Sequence, residues 1–282
     1  MLKRGSIQTV VGAILVALLP LIPQESQAFR SDSPCLSICI GEQSRFGETA
    51  SLTAQLPAQF RLVIWNVYKG GYWGSDQESE LKVLLKDAHI ALIQEAIGHP
   101  DYTQMLRSAS RGFHWILAHA FTRFDGYPTG VATGTNAFPL KSEVLLSPVF
   151  EPVTFTPKSV MITKHLLEGA REPLLVINVH GINFVSTSSY RKHVDQIVSA
   201  ARHHHGPLIL GGDFNTWNES RMEYLLQQAA QLGLAQVPVE LTSYLQVDHL
   251  FVRGLNVLSA QELNWFQSSD HWPLAFDLAV GE

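Results

Sequence analysis

Two short segments carry groups that could do chemistry together: Gly211-Gly-Asp-Phe-Asn215 and Ser269-Asp-His-Trp-Pro273. The first follows the hydrophobic run Pro207-Leu-Ile-Leu, so Asp213 and Asn215 stand at the end of a strand. Spaced two apart there, they can point to the same side. Asp270 and His271 set a hard oxygen ligand beside a group that exchanges a proton near neutral pH. Carboxylates, an amide and a histidine converging from separate strand ends suit metal-assisted attack of water on a phosphate ester. Taken alone, Asp-x-Asn is as readily a turn. The remaining strand ends decide between the two.

Asn66 closes the run before Val67-Tyr68-Lys69, and Gln94-Glu95 follows Ile90-Ala-Leu-Ile93. A carboxylate after four apolar residues would be costly if buried without a partner, and a cation is a natural one. His180 ends Leu174-Leu-Val-Ile-Asn-Val, with Asn183 three residues on. Asp248 opens another strand and could orient a histidine elsewhere. Six strand ends therefore carry residues suited to phosphoryl chemistry. His203-His204-His205 reads differently, as a helix end before Gly206 where partial positive charge suits the helix dipole.

These residues need strands to hold them. Strands are predicted over 61–67, 89–94, 113–121, 130–135, 160–167, 174–180, 248–252, 255–263 and 274–280, with Glu95 ending the second. Ser75-Asp-Gln-Glu78 and Ser220 to Glu223 read as capping boxes opening helices. A third helix is predicted over 188–203, with Tyr190, Val194, Ile197, Val198 and Ala201 on one face. Many short strands with few helices imply an α/β (α+β) arrangement of two packed sheets flanked by helices.

The N-terminus has another logic. Lys3 and Arg4 precede an apolar run from about Val10 to Ile22, and Ser26-Gln-Ala28 offers small residues for cleavage. Residues 1–28 thus read as a secretory signal peptide. The run falls short of the roughly 20 residues that span a bilayer, so no stable transmembrane anchor is expected. A flexible leader over 29–58 contains the only cysteines, Cys35 and Cys39, which export would allow to form a short-loop disulfide. The catalytic domain is expected over 59–282, in a periplasmic or secreted monomer. Without Lys3, Arg4 and Glu25 the formal charge of −5 becomes about −6. That balance lacks the basic stripe of a tight nucleic-acid binder but leaves room for a nuclease whose metal supplies local positive charge.

Taken in order, Trp65-Asn66-Val67, Gln94-Glu95, Asn178-Val-His180-Gly-Ile-Asn183-Phe, Gly212-Asp213-Phe-Asn215, Asp248 and Ser269-Asp270-His271-x-Pro273 resemble the endonuclease/exonuclease/phosphatase superfamily. The Trp-Asn-x-Tyr-Lys and His-x-x-Asn-Phe variants are similar to a bacterial branch with many exported or membrane-associated members. The resemblance implies a four-layer sandwich of two mixed sheets with helices outside. It also implies Mg2+ or Mn2+ held by Glu95, with Asn66 and Asp270 in the same metal region. Asp213 and Asn215 would position the attacking water and meet the scissile phosphate. His271, held by Asp248, or alternatively Asp213, would remove the proton from the attacking water, and His180 would hydrogen-bond a phosphate oxygen. Tyr68 stands where abasic-site enzymes carry an Asp, and the extra substrate motifs of the 5-phosphatase branch are not found. The expected substrate is a phosphoester, with nucleic acid first and a lipid or small phosphoester as the alternative. A catalytically silent binding module is the remaining reading.

Overall fold

A computed structural model of the chain describes residues 40–70, 75–242 and 246–281. The expected signal peptide, Cys35 and Cys39 lie outside the described residues. The strands are β1 (Gln43–Gly47), β2 (Gln59–Asn66), β3 (Ile90–Ile97), β4 (His114–Thr122), β5 (Pro128–Thr135), β6 (Pro139–Leu146) and β7 (Ser159–His165). They continue as β8 (Leu174–His180), β9 (Leu208–Asp213), β10 (Ala235–Gln236), β11 (Asp248–Arg253), β12 (Leu255–Glu262) and β13 (Leu274–Val280). The helices are α1 (Ser75–Leu85), α2 (Pro100–Ala109), α3 (Thr187–Ala201) and α4 (Glu219–Gln231). One sheet runs β1-β4-β5-β3-β2-β13-β12 and the other β10-β11-β9-β8-β7-β6. Both are mixed, with parallel pairs β2–β3 and β8–β9 among antiparallel neighbours.

Period-two alternation sends strand residues mainly to three cores, with a small fourth made by Ile116, Ala118, Val131 and Met161. On β2, Val63 and Trp65 face a layer with Leu81 and Leu84 of α1 and Tyr102 and Leu106 of α2. On β8, Leu175, Ile177 and Val179 pack with α3 and with Leu225 and Ala229 of α4. The intervening residues (Phe60, Leu62 and Ile64 of β2, Leu92 of β3, Val176 of β8, Ile209 of β9, Leu250 of β11) fill the seam between the sheets. The layers are therefore helix, sheet, sheet, helix, as the sequence implied. Among the described residues no helix is long and apolar enough to cross a membrane.

The seam changes character along its length. Continuing each seam-facing alternation by two residues leads from Ile64 to Asn66, from Leu92 to Gln94, from Val176 to Asn178 and then His180, and from Ile209 past Gly211 to Asp213. Going back two from Leu250 reaches Asp248. One end of the seam is thus polar because five strands carry polar residues of the same parity there. Gly211 allows the sheets to approach there, since a Cβ would stand 2.9 Å from Ile64 Cδ1. Gly212 has φ +137°, and a Cβ would fall 2.1 Å from the carbonyl oxygen of Val179. Only glycine fits that backbone.

Several expectations are corrected. Residues 43–47, within the stretch expected as a loose leader, form β1, which pairs with β4. Phe46 is buried against Trp115, with ring centroids 6.2 Å apart, and Leu56 is buried in the seam. β3 does not end at Glu95 but continues to Ile97 through a bulge. Helix α4 is capped by Asn218, whose side chain accepts the N–H of Arg221, rather than by Ser220. Helix α2 and edge strand β6 were not anticipated.

Asn178 joins the two sheets in this polar region. Its Oδ1 accepts from Gln94 Nε2 at 2.8 Å, and its Nδ2 donates to the Ala132 carbonyl at 3.0 Å and to Thr133 Oγ1 at 3.2 Å. Asn178→Ala leaves a buried carbonyl and amide short of partners, at about 1–3 kcal/mol each. Urea denaturation should show that loss of stability, and an unchanged midpoint would show that the bonds hold nothing together.

Candidate active site at the polar end of the seam

Strand register builds the site. On the second sheet His180 pairs with Asp213 and Asp248 with Asp213, so the three strand ends deliver an imidazole and two carboxylates in one row. On the first sheet Asn66 pairs with Gln94, the neighbour of Glu95. The rows meet where Asn66 Nδ2 donates to Asp213 Oδ2 at 3.0 Å.

Asp213 is buried at 2% exposure. It also accepts the backbone N–H of Asn215 at 2.9 Å and the Asn215 amide at 3.4 Å. Burial, reinforced by the charge of Asp248, raises its pKa to about 7, although His271 and these hydrogen bonds pull it down. Asn215 takes φ 51°. Its short polar side chain tolerates that conformation and donates to the Gly181 carbonyl at 3.0 Å. Arg221 Nη1 braces the same turn by donating to the Asn215 carbonyl at 2.9 Å.

His271 Nδ1 lies 2.7 Å from Asp248 Oδ2, although the two residues are 23 apart in sequence. Burial opposes a charged imidazole, but Asp248, by charge and hydrogen bond, with Asp213 and Asp270 adding, raises its pKa to about 10. The ring is therefore an imidazolium at neutral pH. The loop carrying it is fastened from below. Ser269 Oγ donates to the Asn66 carbonyl at 2.6 Å and accepts the His271 N–H at 3.2 Å, while Trp65 Nε1 donates to the His271 carbonyl at 2.9 Å. The other oxygen of Asp248, Oδ1, is buried without a hydrogen-bond partner among the described residues.

Glu95 reaches the same end because of the β3 bulge. Simple alternation would turn it towards the helices; the register shift between Ile93 and Ala96, with Glu95 at φ 59°, re-aims it. Lys69 Nζ sits 3.1 and 3.0 Å from its two oxygens. His180 Nε2 lies 3.8 Å from Glu95 Oε1 and 3.6 Å from Asp213 Oδ2. Burial, with Lys158 and Lys69 adding, drives the His180 pKa well below its usual value. This imidazole is neutral, so one ring nitrogen donates and the other accepts. Tyr68, Lys69, Glu95 and Asn215 all take φ between 51° and 59°. Such backbone costs roughly 1–3 kcal/mol per residue and gathers at functional sites.

Of the residues expected from the sequence, Asn66, Glu95, His180, Asp213, Asn215, Asp248 and His271 converge here. Asp270 is exposed on the rim, its Oδ1 3.4 Å from Ser269 Oγ, and it lines a cavity of about 100 Å³ with Asp248, His271, Trp217 and Trp272. Among the described residues, Asp213, Asp248 and His271 bring ligand atoms within 4.8 Å of one another; Asp270 stands outside that group. The donor set suits a hard divalent cation. It offers carboxylates and an amide oxygen, with one buried carboxylate oxygen lacking a partner. His271 Nδ1 is taken up by Asp248, and the hard oxygen donors here are Glu95, Asn66 and the aspartates. His203–His205 lie away from this site, where His204 Nε2 is 2.9 Å from the Pro207 carbonyl. Lys69, Ser269, Gln94 and Asn178 were missed as site residues. The available signal was an Asn inside the buried run Leu174–His180.

Comparisons with known proteins fit this geometry. The sequence profile of the Endonuclease/Exonuclease/phosphatase family matches residues 63–271. A UPF0294 protein of Klebsiella pneumoniae is 32% identical over 230 residues, which are 79% of this chain and 83% of that protein. The crystal structure of an endonuclease/exonuclease/phosphatase from Bacteroides vulgatus superposes with a TM-score of 0.62 at 16% identity, covering 79% of this chain and 99% of that one. A counterpart from Beutenbergia cavernae gives the same TM-score and identity over 79% and 72% of the respective chains. These structures share the fold; the profile match, spanning most of the chain, carries the assignment. The chain belongs to the Endonuclease/Exonuclease/phosphatase family.

Proposed function

We propose that the protein is a divalent-metal-dependent phosphoester hydrolase, acting as a nuclease or phosphodiesterase outside the cytoplasm. The family includes metal-dependent nucleases and phosphoesterases. The observation that carries the reading is the meeting of buried Asp213 with the Asp248–His271 pair at the mouth of a small cavity.

In this reading Glu95 and Asn66 hold the ion, with Asp270 at the rim. A bound Mg2+ or Mn2+ would polarise a phosphoryl oxygen and neutralise developing charge, worth several kcal/mol. Asp213 takes the proton of the attacking water. Its raised pKa places it near the working pH of a general base, whereas His271 already carries its proton. His271 instead directs a charged N–H at a phosphoryl oxygen, and His180 and Asn215 can add neutral donors. Asp248 keeps the His271 ring oriented and charged. Export rests on the N-terminal leader, and N-terminal sequencing of secreted protein should find Phe29 first; a product beginning at Met1 and retained in the cytoplasm would contradict it.

A second reading, hydrolysis of a lipid phosphoester at the same site, is favoured by an apolar rim. Phe150, Val153, Phe155, Phe184 and Trp217 are exposed, Val153 and Phe155 at 79%. Their loops are tied together: Glu151 Oε1 accepts the Asn183 N–H at 3.0 Å, and Asn183 Oδ1 accepts from Trp217 Nε1 at 2.7 Å. Such side chains could stack bases or enter a lipid interface.

Plasmid DNA, RNA, sphingomyelin vesicles and inositol phosphates should be assayed in parallel with and without EDTA. At least one should be hydrolysed, with activity abolished by EDTA and restored by Mg2+ or Mn2+. Full activity in EDTA refutes the mechanism, and the substrate hydrolysed chooses between the readings. His271→Ala should lower turnover roughly 10²- to 10³-fold, the usual cost of removing a transition-state donor. Asp248→Asn should cost no more, and the double variant should be little worse than His271→Ala because the two act as a unit. Losses that multiply would mean they work separately.

A further inference from the structure

Glu95 already has a cation on it. Lys69 Nζ contacts both carboxylate oxygens, at 3.1 and 3.0 Å, which is the side of Glu95 that a divalent ion would use. The contact does not come from a long side chain finding a surface partner. Lys69 occupies a one-turn helix, Tyr68–Gly70, with φ 53° and ψ 29°. Three hydrogen bonds fix that turn: Gly70 N–H to the Val67 carbonyl at 3.1 Å, Tyr68 N–H to Asn66 Oδ1 at 3.1 Å, and Arg123 Nη1 to the Lys69 carbonyl at 3.3 Å. The backbone of both partners is therefore held in left-handed conformations, and the ammonium is aimed at the carboxylate.

The two ends of the pair differ. The Glu95 side chain is 11% exposed, whereas that of Lys69 is 47% exposed. Glu95 is boxed in and Lys69 can leave. Beside it lies a cavity of about 300 Å³ lined by Tyr68, Lys69, Gly70, Ile97, His99, Arg123 and Asp125, with room for the ammonium to turn into. A metal-free site without Lys69 would hold Glu95 and Asp213 facing neutral His180 in a seam of low dielectric, which repulsion and desolvation oppose.

Resting on the metal-dependent reading above, we propose that Lys69 is a built-in counter-cation. It holds Glu95 in its re-aimed position while no metal is bound, and an arriving divalent ion displaces it from the carboxylate into the adjoining cavity. Lys69 thus acts as a positioning residue that sets metal affinity by competition.

The test is Mn2+ binding to the full exported chain, followed by electron paramagnetic resonance of the free ion. Lys69→Met removes the competitor, and Mn2+ should bind about two- to fivefold tighter, the range expected for loss of one partly exposed ion pair. Lys69→Arg offers Glu95 a bidentate guanidinium that grips harder, and Mn2+ should bind more weakly than to the unsubstituted protein. Lys69→Gln, which also removes the charge, replaces Lys69→Met if that variant fails to fold, and Mn2+ should again bind tighter. A merely structural Lys69 would weaken binding in both. A charge acting only through space would leave Lys69→Arg at the unsubstituted affinity. Either result overturns the proposal while leaving the metal-dependent reading intact. Failure of the unsubstituted protein to bind Mn2+ at all would overturn both.

Discussion

The hydrogen bond from Asn66 to Asp213, 3.0 Å long and buried, joins the two sheets at the polar end of their seam. Everything at the site depends on that approach. It requires Gly211, because a side chain there would press on Ile64 across the seam, while Gly212 lets β9 lie against the Val179 carbonyl of its neighbour β8. It also requires Asn178 and Gln94 one layer deeper, whose 2.8 Å bond keeps the sheets in register as apolar packing gives way to polar contacts. Pulling the sheets apart at this end would let water reach Asp213 and return its pKa towards that of an ordinary carboxylate.

The same approach crowds charge. Glu95, Asp213 and Asp248 converge where solvent is largely excluded, with Lys69 and His271 as the nearby cationic groups. Burial, with Asp248 beside it, penalises the ionised form of Asp213. The site resolves the conflict by splitting roles: Asp213 moves up towards neutrality, His271 moves up beyond it, and His180 gives up its charge. Three different charge behaviours thus arise from position, two at the strand ends of Asp213 and His180 and one in the loop that carries His271. The strained backbone at Lys69, Glu95 and Asn215 aims the groups that regular strands would point elsewhere.

Much of this was legible in the sequence, for a physical reason. A sandwich core needs continuous apolar runs, and each run that ends on a polar residue marks the sheet edge where a site can form. The strands ending at Asn66, His180 and Asp213 were readable in that way. The bulge at Glu95 was not, because nothing in Ile90-Ala-Leu-Ile-Gln-Glu distinguishes a strand that stops from one that bends. β1 was hidden in a short polar segment, Gln-Ser-Arg-Phe-Gly, whose Phe46 alone buries a large apolar group. Helix α2 did carry a signal: Pro100 at its start and Tyr102, Met105, Leu106 and Ala109 on one face. Lys69 could not be assigned from its neighbours, since its partner lies 26 residues away and the contact depends on two left-handed turns.

The opposed charge states of Asp213 and His271 are what the proposed mechanism rests on. NMR titration of the metal-free protein, with labelled histidine nitrogens and aspartate carboxyls, observes them directly. His271 should remain doubly protonated at pH 8 while Asp213 titrates near pH 7, well above an ordinary aspartate. A neutral His271 at pH 7, beside an Asp213 already ionised in the usual carboxylate range, would contradict the assignment of base and donor.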